Sequence, residues 1–128
     1  MLPDEDVPQF PEVPSADFAP VFVAMAKYFG LLADPTRLKI LSTICRRELS
    51  VSAIVAATGA SQTNVSRHLA LLHQAGLLTR RRDRNAVFYK VAEPEFAEVC
   101  GTVCKQLASR IDDGQPLREQ LQQFASGH

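Results

Sequence analysis

No stretch of the chain approaches the ~18 consecutive apolar residues that a membrane-spanning helix requires, which excludes an ordinary transmembrane span. Residues 1–14 lack the basic start and apolar middle of a secretory signal and carry four prolines and four acids instead. A soluble, cytoplasmic protein with no membrane partner is the expectation. Cysteine is scarce, with only Cys45, Cys100 and Cys104. An odd count in a chain of this kind argues against a disulfide framework and leaves buried thiols, metal ligands or redox thiols. Tryptophan and internal repeats are absent. Net charge is also missing, since 14 basic residues balance 14 acidic ones. Any affinity for a polyanion must therefore come from how the charges are distributed.

That distribution is uneven. Asp4, Glu5, Asp6, Glu12 and Asp17 fall in the first 17 residues, which hold no lysine or arginine. Residues 61–90 hold Arg67, Arg80, Arg81, Arg82, Arg84 and Lys90 against Asp83 alone. A basic segment within a neutral chain is either the footprint of a phosphate backbone or a solvated, charged strand pair, and charge alone does not choose between them.

The hydrophobic spacing supplies the framework. The acidic, proline-rich residues 1–14 read as a disordered arm. Val21, Phe22, Met25, Tyr28, Phe29 and Leu32 recur at helical spacing and predict a first helix from about Phe18 to Leu32. Asp34-Pro35 opens a second helix, with the aspartate as N-cap and the proline in the first turn, and this helix frays near Arg46-Arg47. After the short extended piece Leu49-Ser50-Val51, Ser52 is the expected cap of a third helix, Ala53 to Thr58, which Gly59 stops. Ser61 caps a fourth helix carrying Val65, Leu69, Leu72 and His73, and Gly76 ends it. Two helices joined by Gly59-Ala60-Ser61 have helix-turn-helix spacing. Leu77–Arg82 and Ala86–Val91 then predict two strands around Asp83-Arg84-Asn85, which makes the unit a winged helix. Glu93-Pro94 opens a long helix to about Ile111, Asp113-Gly114 breaks it, and a tail helix is expected over Leu117–Phe124. The division expected is an arm at 1–14, a winged-helix domain at 15–112, and a tail at 113–128.

"LADPTRLKIL" (Leu32–Leu41), "ELSVSAI" (Glu48–Ile54), "SQTNVSRHLALLHQAGLL" (Ser61–Leu78) and "AVFYKV" (Ala86–Val91) together resemble the ArsR/SmtB family of bacterial winged-helix repressors, over about residues 20 to 110. The resemblance implies a mainly α fold with a small β-hairpin in the order α-α-α-α-β-β-α. It implies a homodimer formed through the first and last long helices, which sits on palindromic double-stranded operator DNA and leaves it when an inducer binds. By the same resemblance Ser61 to His73 is the recognition helix. Ser61, Gln62, Thr63, Asn64, Ser66, Arg67 and His68 stand on its leading turns, where glutamine and asparagine can bond adenine and arginine can reach guanine or phosphate. Wing arginines, Arg82 and Arg84 among them, would grip the flanking backbone and contribute salt-dependent, sequence-independent affinity. The tip Asp83-Arg84-Asn85 departs from the family's usual acid, glycine and basic residue, and Asn85 is the residue expected to tolerate the left-handed turn.

What such a protein would sense is narrowed by further absences. One metal-site type of the family uses Cys-Val-Cys where this chain has Ser50-Val51-Ser52. The other uses Asp, His and Glu along the last long helix, and residues 93–111 contain no histidine. A zinc, cadmium or nickel site of either type is not expected, because those ions want thiolate or imidazole. His68 is expected near the DNA face rather than on a metal, His73 in packing or at the surface, and His128 in a disordered terminus. Cys100 and Cys104, four residues apart on one helix face, and Cys45 at the end of the second helix either pack as small hydrophobes or form a thiol sensor. Other family members place inducer cysteines in these two helices. As(III), bound by two or three thiolates, is favoured as inducer over reactive sulfur or oxidant, and no cofactor is required. A second class of function, a winged helix docking on an acidic protein, is disfavoured because the recognition helix is rich in base-reading residues and poor in aromatic anchors. A thiol enzyme lacks a histidine placed beside a cysteine or any nucleophile motif.

Overall fold

The computed structural model describes residues 16–127, so the acidic arm and His128 lie outside the described residues. Six α-helices and three strands follow in the order α1 (Ala19–Leu32), α2 (Pro35–Thr43), β1 (Leu49–Ser50), α3 (Val51–Thr58), α4 (Gln62–Gln74), β2 (Leu78–Asp83), β3 (Ala86–Val91), α5 (Glu95–Ala108) and α6 (Pro116–Ser126). The chain divides after Ala33 into two units. No described helix is long and apolar enough to cross a membrane.

The first unit presents α1, preceded by a single 3-10 turn at Ala16–Phe18. Pro20 in its first turn pre-sets the helical φ where a missing N–H costs nothing. None of its side chains is buried, and Val21, Phe22, Val23, Met25 and Phe29 are all exposed. A helix this apolar requires a covering surface.

In the second unit local chemistry sets nearly every boundary. The Asp34 carboxylate accepts the Arg37 N–H at 2.9 Å and starts α2 ahead of Pro35. The cap of α3 is Ser50, not the expected Ser52. Ser50 ends β1 in extended geometry, and its hydroxyl accepts the Ala53 N–H at 3.2 Å, so Ser52 already lies inside the first turn. Gly59, at φ 74°, closes α3 in the left-handed region. Thr58 is buried yet satisfied: its hydroxyl donates to Ile54 O at 2.8 Å and accepts the Ala60 N–H at 3.4 Å, which fixes the turn into α4. Ser61 caps α4 by accepting the Asn64 N–H at 3.2 Å. At the other end Gly76 stands at φ 87°. Its N–H bonds His73 O and the Leu77 N–H bonds Leu72 O, each at 3.0 Å, the paired bonds of a Schellman ending.

The hairpin gains a third strand. β1 pairs with β3 through Leu49↔Tyr89 and Ser50↔Phe88, and β2 pairs with β3 from Leu78↔Val91 to Asp83↔Ala86, giving the antiparallel order β1-β3-β2. The wing tip is only Arg84-Asn85, and Arg84, at φ 57°, takes the left-handed position expected of Asn85. Beneath the sheet lies one apolar core: Ile40, Leu41 and Ile44 from α2, Ile54 from α3, Val65, Leu69 and Leu72 from α4, with Leu78, Tyr89, Val91 and Phe96 closing it. The α5 helix ends at Ala108, before the expected Ile111, because the chain tightens into turns in which Ile111 N–H bonds Ala108 O. The α6 helix then packs back along α5. Gly101 of α5 faces the Ala125 carbonyl of α6, at a distance where a Cβ would make ordinary van der Waals contact at 3.9 Å. Val99, Val103 and Leu107 remain exposed along α5.

Candidate nucleic-acid interface

The α4 helix is divided sharply between core and solvent. Val65, Leu69 and Leu72 are fully buried, whereas Gln62, Thr63, Ser66 and Arg67 are exposed on its leading turns. Helical spacing stacks Gln62 on Ser66 and Thr63 on Arg67. Asn64, half-buried, accepts a short hydrogen bond from Arg67 Nη2, which holds the guanidinium against the helix. Two of the expected contact residues have other engagements. The Ser61 hydroxyl is the helix cap. The His68 imidazole, 12% exposed, lies with Nε2 3.9 Å from the Asp34 carboxylate, between α4 and the start of α2. The Arg37 N–H, and to a smaller extent the charge of His68, hold the Asp34 carboxyl below its ordinary value. His73 stacks edge-on against Tyr89, with centroids 6.3 Å apart.

Strand pairing sorts the wing residues into two sets, because directly opposed residues share a face. Leu78, Arg80 and Arg82 stand opposite Val91, Tyr89 and Val87. Leu78, Tyr89 and Val91 are buried, so Arg80 and Arg82 continue the helix-bearing face beyond the core. With Val51, Val87 and Tyr89 they line an open groove there. Thr79, Arg81 and Asp83, opposite Lys90, Phe88 and Ala86, belong to the other face. On that face Arg81, though half-exposed, has three partners. Its Nε and Nη2 donate to Glu48 Oε1 at 3.1 and 2.6 Å, Nη1 lies 3.7 Å from Asp83, and Cζ sits 4.7 Å over the Phe88 ring. The hydrogen bond from Arg81 pulls the Glu48 carboxyl below its ordinary value and raises Arg81 in turn. Glu48 does not stand out in the sequence, because its partner is 33 residues away and becomes visible only once β1 is known to pair with β3. Arg84 and Asn85 are exposed at the tip.

The three thiols are free and half-buried. Burial pushes all three up from the ordinary value. Cys100 rises to about 11, with repulsion from Cys104 and Cys45 adding to the burial. Among the described residues no group of three or more His, Cys, Asp or Glu side chains is arranged to hold a metal ion.

Residues 34–80 match the family described as bacterial regulatory protein, arsR family. The uncharacterised HTH-type transcriptional regulator Rv0081 of Mycobacterium tuberculosis is 34% identical over 103 residues, covering 80% of this chain and 90% of the relative. The chain belongs to the ArsR/SmtB family. The crystal structure of Rv0081 superposes with a TM-score of 0.65 at 35% identity, over 71% of this chain and 92% of that one. The homodimeric winged helix-turn-helix DNA-binding domain of Mb0332 from Mycobacterium bovis, a possible ArsR-family regulator, matches with a TM-score of 0.67 at 27% identity, over 80% and 95% of the two chains. A probable mercury resistance operon repressor of Streptomyces lividans is 42% identical over 74 residues, 58% of this chain and 59% of its own. As a member of this family the chain is a DNA-binding transcriptional regulator with a winged-helix fold, and not an enzyme.

Proposed function

We propose that this protein is a homodimeric repressor that reads a palindromic operator through Gln62, Thr63, Asn64, Ser66 and Arg67 and grips the adjoining phosphates through Arg82, Arg84 and Asn85. The observation that carries the reading is the exposed, polar leading turn of α4, free of aromatic anchors, beside a wing whose Arg80 and Arg82 share its face. Short polar and arginine side chains read base edges, while wing cations neutralise phosphates. Ser61 and His68 act through the shape of the helix end: one caps it and the other braces it against Asp34. Gln62→Ala and Arg67→Ala should weaken operator binding by ~1–3 kcal/mol each while leaving random-duplex binding nearly unchanged. Arg82→Ala should weaken both alike and reduce the salt slope by about 1. Equal losses of Gln62→Ala on operator and random duplex would remove its base-reading role.

Release is assigned to the thiols Cys45, Cys100 and Cys104, with arsenite preferred over reactive sulfur. Raised thiol pKa values support this order. A nearly neutral thiol attacks sulfur electrophiles slowly, because the thiolate is the nucleophile, whereas an As(III) hydroxide exchanges each hydroxide for a thiolate and the thiol proton leaves with it as water. A similar protein is named a probable mercury resistance operon repressor, which is consistent with a thiol-seeking inducer. Tying the thiols together would shift α5 and, through the dimer, the spacing of the two recognition helices. A coupling of ~1–3 kcal/mol gives roughly 5- to 150-fold release. Cys100→Ser with Cys104→Ser should bind the operator normally and no longer leave it with arsenite. A double variant that still releases like the parent assigns both thiols to packing.

A further inference from the structure

The Glu48–Arg81 contact concerns charge more than stability. Both side chains are well exposed, and an exposed ion pair typically contributes ~0–1 kcal/mol to folding. Its geometry is nevertheless complete. Two guanidinium N–H groups converge on Glu48 Oε1, a third nitrogen faces Asp83, and the flat face covers Phe88. The guanidinium is therefore held from its edge and from its face at once. Its neighbours Arg80 and Arg82 lie across the sheet, with no acid on their face of β2 or β3.

We propose that Glu48 is a specificity-determining residue of the wing: by holding Arg81 against Phe88 on the face away from α4, it removes one cation from the DNA-binding set. This inference rests on the DNA reading above. Each phosphate contact adds affinity for every duplex alike, operator or not, so an unrestrained Arg81 would strengthen non-specific binding and erode the ratio on which a regulator depends. Glu48 lies at the entry to β1, outside the recognition helix, and reaches Arg81 because β1 and β2 flank β3. The cation count of the wing is thus set by a residue that does not itself touch DNA.

The test is the salt dependence of duplex binding by the full-length protein. Glu48→Gln should free Arg81, steepen the slope of log K against log salt by about 0.9, and add roughly a 3.5-fold loss of affinity between 50 and 200 mM salt. Binding to random duplex at 50 mM salt should tighten by a similar factor, while operator preference falls. Arg81→Gln should keep the parent slope, because Arg81 makes no phosphate contact in the parent. Glu48→Gln with Arg81→Gln should also return to the parent slope, which separates release of Arg81 from the general effect of losing a negative charge. A slope in Glu48→Gln unchanged from the parent, or one that stays steep in the double variant, overturns the inference. A shallower slope in Arg81→Gln overturns it equally. A parent with no salt-dependent duplex binding overturns the DNA reading and this role together.

Discussion

Arg81 and Arg82 are adjacent and chemically identical, yet one is engaged with Glu48, Asp83 and Phe88 while the other extends the helix-bearing face of the wing. Composition reveals the basic segment but not this division, which depends on strand parity and so on an exact register. The exposure of Gln62, Thr63, Ser66 and Arg67 was legible because a 3.6-residue period separates them from Val65, Leu69 and Leu72. His68 was not: its environment is made by Asp34, 34 positions earlier, and no local pattern reports it. Cys100 carries a prediction at the same scale. Burial first, then its neighbours Cys104 and Cys45, raise it from 9.0 to about 11. Its alkylation by iodoacetamide should therefore accelerate about tenfold per pH unit from pH 7 to 9 without levelling off. The sign for stability follows. The unfolded chain releases this proton first, so the thiol's contribution is complete below pH 9.0 and fades as the pH rises towards 11. A rate that rises clearly less than tenfold between pH 8 and 9 in mass-spectrometric labelling, as a thiol of ordinary value 9.0 nears half-ionisation, would contradict this.

Helix ends were legible wherever a short polar side chain or a glycine fixes them, as at Asp34, Gly59, Ser61 and Gly76. The exception is the start of α3, where two serines compete. Ser50 wins because pairing with Phe88 holds it extended, the backbone geometry a cap requires. β1 itself, two residues long, has too little pattern to announce a partner about 40 positions away, so the sheet was read as a hairpin. The expected tail helix is present as α6, but its packing against Gly101 is a tertiary matter that periodicity does not encode. The cap assignment is directly measurable. Ser50→Ala should lower unfolding free energy by about 1 kcal/mol, and Ser52→Ala should change it by less than about 0.5. The reverse order in denaturant titrations would restore Ser52 as the cap.

At the scale of the molecule, two apolar surfaces need covering: α1, with no buried side chain, and the Val99, Val103 and Leu107 stripe of α5. A two-fold dimer covers such surfaces and repeats the recognition helix about 34 Å away, one turn of DNA. Val103→Glu places a charge in that stripe, and sedimentation at micromolar concentration should show the parent as a dimer and the variant as a monomer with weakened DNA binding. The most direct test of the whole account is enrichment of duplexes from a random library by the purified full-length protein, followed by sedimentation of the selected complex. The account predicts one enriched inverted repeat, half-sites about 10–10.5 base pairs apart centre to centre, and two chains per duplex. Recovery of duplexes without a shared sequence, or of one chain per duplex, would contradict it.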